Sequence, residues 1–107
     1  MNAVKTDVEK LVQKELESAN QMFPMFHSDY EGAAVIFEKI EEAKAELEKI
    51  DDNFYNLWCL VKDNDTRSST SAGWVFTSSI RLAYEAIQVA AMAQKFIDSQ
   101  KGRIRNE

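Results

Sequence analysis

The chain has 107 residues but only three glycines, one proline and one cysteine. Strand-rich folds need many turns built on glycine and proline, so this scarcity argues against an all-β protein. Cys59 has no second cysteine to pair with, which excludes an internal disulfide and fits a reducing compartment. Since Cys59 lies between Trp58 and Leu60, we expect its thiol to be buried rather than reactive.

Basic residues and long apolar runs are also scarce. The net charge is −5, and the only basic cluster is a short one at 101–105. A nucleic-acid partner is disfavoured, because neutralising phosphates requires a basic face. No apolar run approaches the ~20 residues of a membrane span, and charges begin too early in the chain for a signal peptide. We therefore expect a single cytoplasmic domain with neither nucleic acid nor membrane as its partner.

What the chain does have is apolar residues at helical spacing, within a hydrophobic content of 45%. This periodicity predicts an all-α protein with three principal helices. Pro24 and a polar, serine-rich stretch mark the two connections between them. The predicted segments are a first helix at 1–20, a packed loop at 21–29, a long acidic helix at 30–62, a polar loop at 63–71, an alanine-rich helix at 72–100 and a tail at 101–107.

The second helix has the strongest pattern. Ser28 and Glu31 have the spacing of a capping box at its start. Apolar residues then recur at alternating spacings of four and three, which is typical of a left-handed helix–helix contact. The acidic run at 51–53 marks a point where the helix can bend or restart. The predicted seam consists of Ile36, Ile40, Ala43, Leu47, Ile50, Phe54, Leu57 and Val61.

The third helix is rich in alanine between 83 and 93. Alanine on several sides lets neighbouring helices approach, so we expect this helix to be covered on more than one face. A hairpin of helices 2 and 3 cannot provide that cover alone. The prediction is a homodimer or homotetramer that completes a four-helix-type bundle.

Two acidic clusters carry the functional hypothesis. Glu38 and Glu41 share a flank of helix 2, and Glu85 and Gln88 share a face of helix 3 with Arg81 and Lys95. Two such faces packed together would offer the oxygen ligands that Mg²⁺ prefers. The alternative is ordinary surface chemistry, with the helix-2 cluster solvated beside Lys39 and Lys44, and Glu85 paired with Arg81.

Other chemistries fit the residues less well. A ferritin-like di-iron site needs two Glu-x-x-His motifs, and His27 is the only histidine. A Ser-His-Asp or Cys-His site would have to use the same His27, and no nucleophile elbow is present. No glycine-rich phosphate loop exists either, because the glycines lie at 32, 73 and 102.

These motifs resemble the all-α nucleoside triphosphate pyrophosphohydrolases of the MazG-like group, related to dimeric dUTPases. That group carries Glu-x-x-Glu on one helix and Glu-x-x-Asp on a following one. This chain has Glu38-x-x-Glu41 and Glu85-x-x-Gln88, with glutamine in place of the aspartate. The stretches 27–36 and 85–93 look like short phage-encoded members, and the resemblance covers residues 25–98.

The resemblance implies a house-cleaning hydrolase that splits a nucleoside triphosphate into monophosphate and pyrophosphate. Mg²⁺ or Mn²⁺ would be held by carboxylate and amide oxygens, a further carboxylate would orient the attacking water, and cationic and aromatic side chains would bind the substrate. The implied metal ligands are Glu38, Glu41, Glu85 and Gln88, the implied catalytic residue is Glu42, and the implied substrate-binding residues are His27, Tyr30, Arg81 and Lys95.

Two other functions are compatible with the same pattern. The chain could be a non-catalytic helical module that binds a partner or assembles, which Gln88 favours because a neutral amide weakens Mg²⁺ binding. It could also bind nucleotides for regulation without turnover. Metal-dependent stabilisation of the folded state discriminates a metal site from a plain interaction module.

Overall fold

A computed structural model of the chain describes residues 2–105, with the side chains of 3–104. Over this range the all-α prediction is confirmed, since the described residues form three helices and no strand. Residue 1 of the predicted first helix and residues 106 and 107 of the predicted tail lie outside the described part. No helix within it has a stretch long and apolar enough to cross a membrane. The helices are α1 (Asn2–Met22), α2 (Asp29–Lys62) and α3 (Ser68–Arg105).

Helix α2 begins and ends at capping motifs. The backbone N–H of Glu31 donates to Ser28 Oγ at 3.1 Å, which is the serine half of the predicted capping box. The helix continues through 51–53 without a break. It ends in a Schellman motif, with the N–H of Asp65 bonded to the Leu60 carbonyl and Asn64 at a left-handed φ of 53°.

Helix α3 is longer than the predicted 72–100 at both ends. Asp65 organises its start: one carboxylate oxygen accepts the Arg67 backbone N–H at 2.9 Å, and the Asp65 carbonyl accepts the Ser68 N–H. The Arg67 guanidinium, hydrogen-bonded to the same carboxylate, lowers the pKa of Asp65 to about 2. The serine-rich sequence resembles a loop because serine favours turns over helix interiors. Within α3, however, Thr77 and Ser79 bond back to the carbonyls four residues earlier.

The chain divides into two compact units, residues 1–40 with 86–107 and residues 41–85. We call them the three-helix unit and the hairpin unit. The three-helix unit contains every buried apolar side chain of the described residues. They come from α1, the first connection and α3, and half-buried apolar residues of α2 pack around them. The buried apolar residues are Leu16, Phe26, Ala91 and Met92.

Three polar side chains of α3 hold the first connection in the three-helix unit. Ser99 Oγ accepts the Phe26 N–H at 2.9 Å, Arg103 Nη1 donates to the Phe26 carbonyl at 2.9 Å, and the Lys95 ammonium donates to the Phe23 carbonyl. Residues 95, 99 and 103 share one helix face because they are four apart. Residues 101–105 of the predicted tail are therefore helical, and Arg103 helps to fix the loop. The sequence predicts a packed loop, and of its four large apolar residues Phe26 alone is buried; the others are Met22, Phe23 and Met25.

The least exposed positions of the hairpin unit coincide with only part of the predicted seam. Ala43, Ile50 and Leu57 are half-buried. The other three seam residues of this unit, Leu47, Phe54 and Val61, are 48%, 56% and 48% exposed in the single chain. The least exposed positions of α2 still follow heptad spacing, but positions 46, 53 and 60 take the place of 47, 54 and 61. The two helices can pack through these positions because the inward residues of α3 near the turn are mostly serine, which is small. The inward residues are Ala43, Glu46, Ile50, Asn53, Leu57 and Leu60 on α2 and Ser68, Ser71, Val75, Ser78, Leu82 and Glu85 on α3.

Candidate functional site

The predicted site residues are divided between the two units. In the three-helix unit, His27 projects into solvent with 86% of its side chain exposed, and its Nδ1 lies 3.0 Å from Glu31 Oε2. Tyr30 is 91% exposed, and Glu38 is exposed. The His27 contact belongs to the start of α2, where Glu31 also accepts the His27 backbone N–H. A role of these side chains in substrate binding stays a prediction.

Lys95 and Gln88 are engaged inside the three-helix unit. Lys95 is 5% exposed, donates to the Phe23 carbonyl and places its ammonium 4.8 Å from the centre of the Phe26 ring. Burial lowers the pKa of Lys95, and the Glu31 carboxylate partly opposes that shift. Gln88 Nε2 donates to Glu15 Oε1 at 3.4 Å. In this arrangement, Lys95 fixes the loop and the Gln88 amide links α3 to α1.

In the hairpin unit, the carboxylates expected to point inward are the exposed ones. Glu41 keeps 50% of its side chain exposed, with its Oε1 3.5 Å from Lys44 Nζ. This is one of the surface contacts considered as the alternative to a metal site. Glu42 is half-buried and Arg81 is exposed. Within the hairpin unit, the inward positions of α2 begin at Ala43 and Glu46, and Glu41 lies on the exposed side of the helix.

Glu46 is the carboxylate that the shifted seam brings inward. Its side chain is 14% exposed, and Oε1 accepts a hydrogen bond from Lys49 at 3.2 Å. Its second oxygen, Oε2, is buried and has no hydrogen-bond partner among the described residues. A buried carboxylate oxygen in that state is costly unless a cation or a proton joins it. Glu46 is therefore a candidate cation ligand in the hairpin unit.

Glu85 occupies the corresponding position on α3. It is half-buried in the inward seam, and its Oε2 is shielded from water. Glu46 lies 16 residues before the end of α2, and Glu85 lies 17 residues after the start of α3. At a rise of 1.5 Å per residue, both lie roughly 25 Å from the turn. The two inward carboxylates are thus at the same level of the hairpin.

The described residues contain no group of three or more histidine, cysteine, aspartate or glutamate side chains that could hold a metal ion. Mg²⁺ does not require such a cage, because it commonly keeps several waters and uses one or two carboxylates together with substrate phosphates. The donor set of Glu46 and Glu85 fits that mode of binding. A four-ligand site of Glu38, Glu41, Glu85 and Gln88 stays a prediction.

The hairpin unit also carries an open cleft of about 420 Å³ close to its turn. Two amides and two hydroxyls line it together with the indole of Trp74, which is 55% exposed. The cleft therefore combines polar side chains with the apolar surfaces of Leu60 and Trp74. Its lining residues are Asn53, Asn56, Leu60, Arg67, Thr70, Ser71 and Trp74.

Comparison of this chain with protein-family models, with curated proteins and with solved structures found no match.

Sequence reasoning missed Glu46 and the loop-holding face of α3. The signal for Glu46 was a second heptad phase, one residue out of register with the apolar one. The signal for the loop contacts was the series of polar residues spaced four apart at 95, 99 and 103. In both cases polar residues occupy positions with core-facing spacing, and a search for apolar periodicity alone does not detect them.

Proposed function

We propose that this chain is a metal-dependent nucleoside triphosphate pyrophosphohydrolase that works as a homo-oligomer and releases a nucleoside monophosphate and pyrophosphate. The observation that supports the proposal is the pair of inward carboxylates, Glu46 and Glu85, at one level of the hairpin unit. The likeness of the acidic motifs to MazG-like enzymes supplies the reaction class. The net charge of −5 fits a nucleotide site that relies on a cation.

Glu46 and Glu85 are the proposed ligands of Mg²⁺ or Mn²⁺. These two carboxylates would hold the ion, which would supply positive charge to offset the negative charge of the triphosphate. Lys49 holds the other oxygen of Glu46, which fixes the carboxylate's orientation. Glu38 and Glu41, which are exposed, form the alternative ligand set that the family motif favours.

The other proposed roles fall on the same two helix faces. Glu42 lies one turn before Glu46 on α2, so it can accept a proton from the attacking water beside the cation. Arg81 lies one turn before Glu85 on α3, and its exposed guanidinium can donate paired hydrogen bonds to the outer phosphates. Lys95 is not part of this proposal, because its ammonium is buried against the loop.

A second candidate is a non-catalytic helical interaction module. The observation that favours it is the state of Gln88, whose amide is bonded to Glu15 in place of an acidic ligand. Nucleotide binding without turnover is the intermediate case. It would show metal-dependent nucleotide affinity with no pyrophosphate release.

Pyrophosphate release from a panel of ribo- and deoxynucleoside triphosphates, with Mg²⁺ and Mn²⁺, tests the proposal. Glu46→Gln and Glu85→Gln remove the charge but keep the side-chain volume. Both should lower kcat by more than the roughly 10–100-fold that outer-shell changes around metals cost. Glu48→Gln is the matched control, since Glu48 is exposed on the same helix.

Two results would contradict this assignment. A wild-type chain without turnover and without metal-dependent thermal stabilisation excludes the enzyme and supports the interaction module. Turnover that survives Glu46→Gln and Glu85→Gln but is lost in Glu38→Gln and Glu41→Gln moves the metal to the exposed pair.

A further inference from the structure

The cleft near the turn of the hairpin unit is lined by four neutral polar side chains that make no hydrogen bond to another described residue. Asn53 and Asn56 lie one turn apart on α2, and Thr70 and Ser71 lie in the first turn of α3. Each of the four can both donate and accept hydrogen bonds. Two amides and two hydroxyls therefore surround a volume of about 420 Å³ with their bonding capacity unused by the protein.

The unused hydroxyls are a property of the cleft and not of the serine-rich sequence as a whole. Before and after Thr70 and Ser71, the hydroxyls of Ser69, Thr77 and Ser79 donate to backbone carbonyls three or four residues earlier. Serine and threonine in helices commonly bond back in this way. The two hydroxyls that line the cleft do not, which leaves them available to a ligand.

The cleft carries no net charge. Arg67 is the only charged residue in its lining, and its guanidinium donates three hydrogen bonds to the Asp65 carboxylate, at 3.1, 3.1 and 2.6 Å. This contact lowers the pKa of Asp65 to about 2, so both partners are charged and balance each other at neutral pH. A phosphate or carboxylate would have to compete with Asp65 for the arginine. The cleft therefore favours an uncharged ligand.

An exposed aromatic ring supplies the apolar surface of the cleft. The indole of Trp74 is 55% exposed, and Leu60 lines the cleft nearer the turn. Trp74 lies one turn beyond Thr70 and Ser71, so the indole and the two hydroxyls share a face of α3. Because the cleft is open to solvent, a bound ligand has one side against the indole and the other side in water.

We propose that this cleft binds one sugar ring of a neutral carbohydrate. One face of a pyranose ring consists of C–H groups, which are attracted to the electron-rich face of an indole. The hydroxyls at its edge donate and accept, as the four polar side chains of the cleft do. They also keep the outer side of the ring hydrated, whereas a nucleobase would leave its second apolar face in water. The volume of the cleft is within the range of about 300–1,000 Å³ that small-molecule sites occupy.

Saturation-transfer difference NMR with the methyl pyranosides of glucose, galactose, mannose and N-acetylglucosamine tests the proposal. We expect at least one of them to receive saturation, most strongly at the C–H protons of one ring face, because that face lies against the indole. Trp74→Leu and Asn56→Ala should each reduce the signal several-fold. Trp58→Leu is the matched control, because Trp58 is 51% exposed on α2 and does not line the cleft.

Competition experiments separate a sugar from the other ligands of a polar, aromatic cleft. Uridine and adenosine present a flat base, and inorganic phosphate presents an anion to Arg67. We expect none of the three to displace the bound pyranoside. Displacement by any of them would overturn the proposal. The absence of a signal from all four pyranosides, or a signal that Trp74→Leu and Asn56→Ala leave unchanged, would also overturn it. Circular dichroism verifies that these variants stay helical, which we expect because the altered side chains are exposed.

This inference goes beyond the proposed hydrolase and does not rest on it. At a rise of 1.5 Å per residue, Asn53 lies about 10 Å nearer the turn than Glu46, and Trp74 lies about 16 Å nearer the turn than Glu85. Trp74→Leu should therefore leave pyrophosphate release unchanged. A chain that hydrolyses nucleotides but binds no pyranoside overturns only the sugar site, and a chain that binds a pyranoside without turnover overturns only the enzyme.

Discussion

The two units of this chain share helices α2 and α3 but bury different residues. In the three-helix unit, bulky side chains such as Leu16 and Met92 are inside, and polar groups of α3 bind the backbone of the connection. In the hairpin unit, no large apolar side chain is buried, and the inward seams carry serine, asparagine and glutamate. The difference arises because the three-helix unit also contains α1, whereas two helices alone cannot enclose a bulky side chain. The three-helix unit has a core of its own, whereas large apolar side chains of the hairpin unit, such as Leu47 and Phe54, stay about half exposed.

The contrast also separates stability from function. Shielding a carboxylate oxygen from water is costly unless the oxygen gains a partner. The inward pair Glu46 and Glu85 lies in the hairpin unit, together with Arg81 and Glu42. The three-helix unit offers instead a buried lysine and serine that fix a loop. We therefore propose that the chemistry takes place in the hairpin unit, and we expect most of the folding free energy to come from the three-helix unit.

The largest expected effect comes from truncating the core. Leu16→Ala should lower the free energy of unfolding by about 2–5 kcal/mol, because Leu16 is 4% exposed and a cavity would remain. Leu47→Ala is the matched change in the hairpin unit. It should cost far less in dilute solution, since Leu47 is 48% exposed. Denaturant unfolding at low concentration measures both, and equal losses would contradict the contrast.

Glycine substitutions should have opposite signs in the two units. A Cβ on Gly32 would lie 2.6 Å from Phe96 Cδ2 and 3.0 Å from Phe26 Cδ2, so Gly32→Ala should cost about 1–3 kcal/mol through overpacking. A Cβ on Gly73 meets nothing within 4 Å. Gly73→Ala should therefore stabilise the chain by up to about 1 kcal/mol through helix propensity. Thermal unfolding distinguishes these outcomes, and a stabilising Gly32→Ala would show that α2 and α3 are not tightly packed there.

The loop contacts predict an effect of similar size. Ser99 is 1% exposed and accepts the Phe26 N–H. Ser99→Ala leaves that backbone donor buried without a partner and should cost about 1–3 kcal/mol. Ser79→Ala is the control, because Ser79 is exposed and bonds only within its own helix. Equal unfolding midpoints for the two variants would show that the loop is not held by Ser99.

The smallest effect concerns pH. Burial lowers the pKa of Lys95 in the folded chain, so the unfolded chain binds more protons between that lowered pKa and the ordinary value of about 10.4. Stability from this group should therefore rise as pH rises through that window. Lys95→Met removes the dependence, so the difference in unfolding free energy between wild type and variant should shift in favour of the wild type at alkaline pH. A difference that is constant with pH would contradict the lowered pKa.

Sequence reasoning predicted three helices and their order because apolar periodicity follows directly from helix geometry. The start of α2 was also accessible, since Ser28 and Glu31 form a local motif. The start of α3 was not, because serine has a turn preference that a tertiary contact and the Asp65 cap override. Local sequence signals were thus sufficient to predict the three helices but not to predict where α3 begins.

The candidate site was less accessible for a different physical reason. An apolar heptad identifies a face that must be covered, but not which neighbour covers it. Leu47, Phe54 and Val61 are about half exposed. The α2–α3 contact of the hairpin unit uses the neighbouring positions 46, 53 and 60 instead. As a result, Glu46 rather than Glu41 is the inward carboxylate of α2 in the hairpin unit. The correct face becomes visible only when both helices are placed together.

Amide hydrogen exchange with and without Mg²⁺ tests the central claim most directly, because local protection reports ligand binding by region. We predict that Mg²⁺ slows exchange of the hairpin-unit amides around Glu46 and Glu85 and leaves those around Met92 and Ser99 unchanged. Glu46→Gln should abolish the effect, and Glu48→Gln should not. An exchange pattern that Mg²⁺ does not alter, or alters only in the three-helix unit, would contradict the assignment of the chemistry to the hairpin.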